Sequence, residues 1–210
     1  MRFVLPLLFG FISASIGISL PGLINMTAAK VSIRDGRDRA LLFIIGAVII
    51  IFFQTLSAVF FAHFIDSRPD VVVLLREIGL GVFSVLTVYF FFLAKKPKFK
   101  KEEMKMHSKT NRFFLGMLLS TLNFFPVPYY VFVTITLSSY QLFSFERISI
   151  FLFLLGVVLG SFGVFYYYIS FFKKIESKTD FFFKYMNQII GSITGIVALI
   201  TLVNILNYYY

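Results

Sequence analysis

"GISLPGLINM" (residues 17–26) interrupts an apolar run that extends from Phe3 to Ala29. Pro21 removes a backbone donor and Gly22 loosens the chain. In water such a pair stops a helix. Here apolar residues continue on both sides, so the break falls inside a stretch long enough to cross a membrane. A second interruption, "NFFPVPYY" (123–130), places Pro126 and Pro128 in a later apolar run. Backbone groups freed at membrane depth are costly unless they line a wet cavity or are buried in protein. How these two breaks relate decides the fold.

The composition fixes the solvent. The 210 residues are 59% hydrophobic, 20% aromatic and 14% charged. Soluble domains carry roughly 45–50% apolar and about 25% charged residues. This is the balance of an all-α integral membrane protein. Arg2, the apolar stretch behind it and "SASIG" imitate a secretory signal, but the run continues well past that point and reads as a first transmembrane helix. The chain has no Cys, which excludes disulfides, thiolate catalysis and thiolate metal sites.

Six stretches are long and apolar enough to be transmembrane helices, at roughly 3–29, 40–65, 71–94, 112–138, 148–172 and 185–207. The connections between them hold the charge. The first, third and fifth contain four, eight and four of the twenty Lys and Arg residues. The opposite side keeps only Arg2, Arg68, Arg76 and Arg147. Lys and Arg mark the cytoplasmic side, which places both termini outside the cytoplasm. The run "KKPKFKKEEMKMH" (95–107) is a solvated topogenic loop or a lipid-headgroup patch; its net charge is not a nucleic-acid signal.

The breaks fall in the first and fourth spans, the first of each set of three. Three is odd, so the second triplet enters from the opposite side. The expectation is a single transmembrane domain built as an inverted 3+3 repeat, with helices 1 and 4 broken. Repeat A covers about 1–95, a cytoplasmic linker about 96–111 and repeat B about 112–210. Either break alone fits a plain proline kink. A matched pair points to a transporter binding site near the bilayer midplane.

Ionisable residues are nearly missing from the span centres. Arg76 and Glu77 stand one turn into the third span, and His63 near the outer end of the second. His63 reads as an interfacial residue or a proton relay. Most Ser and Thr in membrane helices are packing groups. Asn25, Gln54 and Asn123 are costlier to bury, and divide between packing and solute contact. "GSITG" (191–195) has small residues four apart and reads as close helix packing. No catalytic residues, metal ligands, cofactor loop or phosphate loop can be assembled: only His63 and His107 exist, and Ser161 in "GSFGVF" has no His to serve it.

Taken together, these segments resemble the LysE/RhtB family of bacterial amino-acid exporters. "SLPGLINMTAAKVSIRDGRDRA" (19–40) is similar to that family's Pro-Gly helix break and basic loop. "NRFFLGMLLSTLNFF" (111–125), with Gly116 seven residues before Asn123, is similar to its second break. "LLREIGLGVFSVLTVYFFFLAKK" (74–96) and "FKYMNQIIGSITGIVALI" (183–200) resemble its third and last helices. The chain departs from the family pattern where Leu23 replaces a second Pro and where Phe124 and Phe125 follow Asn123 in place of Pro-Lys. It departs again in helix 2, where Ile51 and Gln54 stand for an acidic residue and a His.

The expected function is secondary export of an amino acid or similar small metabolite by alternating access. Pro21, Gly22, Asn25, Asn123 and Pro126 are placed at the solute, with Gln54 as an addition. The prolines and glycine free backbone groups, and the Asn amides bond the solute. The partners are then a small-molecule solute and the lipid bilayer, and Gly- and Ser-lined helix faces give a route to a homodimer. The alternative is a non-transporting membrane subunit or assembly factor whose broken helices receive a partner protein.

Overall fold

The structure is a computed structural model that describes residues 4–19, 22–66, 68–94 and 109–209, without the side chains of 69–72, 75–76, 109–110, 172–184, 186, 189 and 207. Every described element is a helix: α1 (Val4–Ser19), α2 (Leu23–Asp35), α3 (Arg37–Asp66), α4 (Pro69–Val88) with a π-helical turn at Tyr89–Leu93, α5 (Lys109–Leu122), α6 (Pro126–Ser139) and α7 (Arg147–Tyr209). Non-helical dihedrals at Phe171 mark a kink where two helices meet within α7. Pro21, the basic run 95–107 and the Arg76 side chain lie outside the described residues.

Two helices are long and apolar enough to cross a membrane, Arg37–Asp66 and Arg147–Phe171. Two bent pairs add to them. α1 and α2 meet at 78°, and Asn111–Leu122 meets Pro126–Ser139 at 62°. The described residues therefore supply two to four candidate spans. The stretches expected as spans three and six hold shorter apolar helices, Glu77–Leu93 and Ile190–Leu206.

Two connections differ from their expected form, and a third keeps it. The segment 30–39 is not a loop: α2 continues to Asp35, and α3 starts at Arg37. Only Gly36 lies between, at φ 92° and ψ 163°, a backbone state that needs the absent Cβ. The segment 173–184 is helical, since it holds no Pro or Gly to stop a helix. In 139–147 the chain does turn, with Gln141 at φ 58°. Phe143 from that turn is buried edge-on against Phe153 and Phe145.

The chain divides into two compact units, 1–64 with 103–176 and 65–102 with 177–210. The first is held by two close helix crossings. A Cβ at Gly10 would run into the Phe153 carbonyl, and one at Gly156 into the Leu7 carbonyl, where α1 crosses α7. A Cβ at Gly46 would meet the Phe113 carbonyl, and one at Gly116 the Phe43 carbonyl, where α3 crosses α5. Between helices in lipid the hydrophobic effect supplies little attraction, so backbone approach through small residues supplies the packing. Around these crossings Phe43, Phe153, Val59 and Val157 are fully buried.

An ion pair ties α2 to α5. Arg112 Nη2 lies 2.6 Å from Asp35 Oδ2, with side chains only 5% and 7% exposed. Arg112 is therefore a buried partner, not a solvated end of the third connection. In the second unit, α4 and the last part of α7 run antiparallel. Thr87 Oγ1 donates to Thr194 Oγ1 at 3.0 Å, and Asn187 Nδ2 to the Ala94 carbonyl at 2.7 Å. Gly191 faces the Phe91 ring and Gly195 faces Thr87, as the four-residue spacing of small residues predicts.

Two predictions concern stability. Gly116→Ala and Gly10→Ala place a methyl on a backbone carbonyl, which no rotamer change relieves. Each should cost about 3 kcal/mol or more, while Gly163→Ala, with open space around it, should be tolerated. Thermal unfolding in mild detergent measures the difference. Arg112→Met alone strands a buried carboxylate and should cost about 3–5 kcal/mol. The double variant Arg112→Met, Asp35→Leu should recover most of that loss, read as the coupling in a double-mutant cycle of Tm values.

Candidate functional site: a cavity at two helix breaks

Breaking a helix leaves its last carbonyls and its next N–H groups without intrahelical partners. At the first break, side chains take the carbonyls of α1. Asn25 Nδ2 donates to the Ile18 carbonyl at 2.5 Å, and Tyr168 Oη to the Ser19 carbonyl at 2.8 Å. Ser19 Oγ bonds back to the Ser15 carbonyl. At the second break, Gln54 Nε2 reaches from α3 and donates to both the Ser120 carbonyl, at 3.1 Å, and the Asn123 carbonyl, at 3.0 Å. The two donors of one amide thus hold the end of α5.

The helices that restart are unequal. α2 begins after Gly22 in extended conformation (φ −116°, ψ −179°), with no side chain capping it. Its first intrahelical bond runs from Met26 N to the Gly22 carbonyl at 3.0 Å. α6 begins with Pro126, and Pro128 follows, so two of its first three positions have no N–H to offer. Val127 N is taken by the Phe124 carbonyl at 3.3 Å, and Phe125 N by Asn123 Oδ1 at 3.4 Å.

Both breaks open onto one cavity of about 350 Å³. The first break contributes Gly17 and Ile18 from the end of α1, and Gly22 to Asn25 from the start of α2. The second contributes Leu119 and Leu122 of α5, then Asn123, Phe125 and Pro126. Tyr129 and Tyr130 of α6, Ile51 of α3 and Phe165 of α7 complete the wall. Tyr129 Oη donates to the Ser13 carbonyl at 2.8 Å, joining α6 to α1 across the cavity's rim.

The structure therefore brings four of the six expected site residues to a single wall: Gly22, Asn25, Asn123 and Pro126. Gln54 is not among the lining residues; its Nε2 is engaged by the carbonyls of the second break. Pro21 lies outside the described residues. His63 is away from the cavity, with its ring 4.9 Å from that of Phe145. Sequence reasoning did not pick out the aromatic wall. Its signal was present, because Phe125, Tyr129 and Tyr130 belong to the same "NFFPVPYY" stretch as the break, but a Phe-rich chain hides a functional aromatic among lipid-facing ones.

Interrupted helices around a cavity, in a chain of apolar helices, define a multi-pass membrane protein built to hold a small solute. The chain belongs to the LysE type translocator family, whose model matches residues 15–204. That match takes in both breaks and the whole cavity wall. No curated protein and no solved structure matches the chain.

Gln54→Leu removes two bonds that hold the end of α5 and takes from the Asn123 carbonyl its side-chain donor. The Ser120 carbonyl keeps its bond from Asn123 N, so the loss should be about 1–3 kcal/mol, measured as a fall in Tm, and Gln54→Glu should not rescue it because a carboxylate cannot donate.

Proposed function

We propose that the protein is a secondary transporter that exports an amino acid or similar small metabolite across the bacterial inner membrane. The reading is supported most by one observation: a cavity lined from both helix breaks, with Asn25 of one and Asn123 of the other in its lining. Membership in a translocator family agrees with it. In this reading the chain forms six spans in two inverted triplets, with both termini outside the cytoplasm. Three features support the repeat. Each triplet opens on a broken helix. Each broken helix crosses the second helix of the other triplet through paired glycines. Each compact unit draws corresponding segments from both triplets.

Alternating access then proceeds by rocking about the midplane site. Gly22 and Pro126, with Pro21, keep the backbone open where the solute sits. The Asn25 and Asn123 amides face it from the two breaks. The amide protons of Asn25 also serve the Ile18 carbonyl, so solute binding and the geometry of the first break are coupled through one side chain.

Counterflow in proteoliposomes tests this. Loaded with amino acids, vesicles carrying the protein should exchange one or a few of them. The Asn25→Ala, Asn123→Ala double variant should lose at least about tenfold in rate for each solute hydrogen bond removed. A double variant with unchanged Tm and unchanged kinetics would remove the site assignment. A stable stoichiometric protein partner in mild detergent, with no exchange, would favour an assembly subunit instead.

A further inference from the structure

We infer that the cavity accepts amino acids whose side chains are uncharged and apolar or aromatic, of the size of leucine, methionine or phenylalanine, and rejects basic and acidic ones. The inference rests on the transport reading above and adds the substrate class. It is carried by the chemistry of the wall. None of the described lining residues is Asp, Glu, Lys, Arg or His. The side-chain polar groups that do line it are largely committed within the protein. Asn25 Nδ2 holds the Ile18 carbonyl, Tyr129 Oη holds the Ser13 carbonyl, and Asn123 Oδ1 accepts from Phe125 N.

A charged side chain entering this space would give up its water and find no opposite charge. Uncompensated burial of an ion is among the most unfavourable steps a binding site can impose, and more so at membrane depth. An apolar side chain meets the reverse situation. The Phe125 and Tyr129 rings are stacked, with centroids 5.7 Å apart and planes 19° from parallel, and Tyr130 stands edge-on to Tyr129 at 5.1 Å. Flat aromatic faces beside Ile51 and Leu119 suit an aliphatic or aromatic body. The α-carboxylate and α-ammonium are common to all amino acids and offset one another, so they do not discriminate; the side chain does.

Size narrows the class further. A volume of about 350 Å³, at roughly 30 Å³ per water, is the space of about a dozen waters. That is room for one amino acid with a medium or large side chain.

The test uses the whole protein in proteoliposomes loaded with an equimolar mixture of the twenty amino acids, with exit of each followed by mass spectrometry. Leucine, isoleucine, methionine and phenylalanine should leave at least about tenfold faster than lysine, arginine, aspartate and glutamate. Exit of lysine, arginine or glutamate at equal or greater rates would overturn the assigned class while leaving the exporter reading intact. No mutant-sensitive exit of any amino acid, from protein with an intact melting transition, would overturn both. A designed charge gives the second arm. Leu23→Asp puts a carboxylate on the wall and should raise the lysine-to-leucine exit ratio at least about tenfold. An unchanged ratio in the folded variant would contradict a solute side chain lying against this wall. If Leu23→Asp does not accumulate as folded protein, Leu122→Asp, also on the wall, makes the same comparison.

Discussion

A carbonyl without a partner cannot be left in a bilayer, and the architecture of the first unit follows from that constraint. Two helices stop partway, and each stop exposes the last carbonyls of a helix. The protein answers with side chains brought from elsewhere. Asn25 and Tyr168 serve the end of α1, and Gln54 reaches two carbonyls at the end of α5. These donors come from different helices, so the breaks persist only while the bundle is assembled. The glycine crossings assemble it. Gly10 with Gly156, and Gly46 with Gly116, let four helices approach until backbone meets backbone.

The cavity is a consequence of the same arrangement. Chain that has left the helical path leaves room beside it, and the two breaks leave that room in the same place. The amides that hold the breaks open stand beside the space or directly behind it. Asn25 is both a cap for α1 and part of the wall. Proline acts in two ways at the second break: it ends α5's continuation and, at Pro126 and Pro128, strips the start of α6 of donors. The result is a wall of aromatic and aliphatic surface with few uncommitted polar groups.

Much of this was legible in the sequence, because the signals were local. Membrane class follows from composition, and both breaks follow from Pro and Gly inside apolar runs. Gly22, Asn25, Asn123 and Pro126 group together from sequence alone, since residues beside a break share its surroundings. What was not legible depended on distant partners. Gln54 looks like a solute ligand because a buried amide is costly, yet a polar side chain in a helix cannot reveal which carbonyl sixty residues away it will serve. Arg112 looks like a topogenic loop charge until Asp35 is seen to meet it. The segment 30–39 looks like a loop because it is charged, but its residues are adequate helix formers and Gly36 alone makes the turn. The aromatic wall was hidden by abundance, as thirty Phe residues make any one of them unremarked.

As the proposed path of the solute, the cavity at the two breaks must open to one side of the membrane and then to the other. A chain without native Cys allows a direct measurement. A single cysteine at Leu122, on the cavity wall, would be labelled with a membrane-impermeant maleimide applied to right-side-out and to inside-out vesicles. Labelling should proceed from both sides, each slowed when a transported amino acid is present. Labelling from one side only, at a rate no amino acid changes, would contradict it.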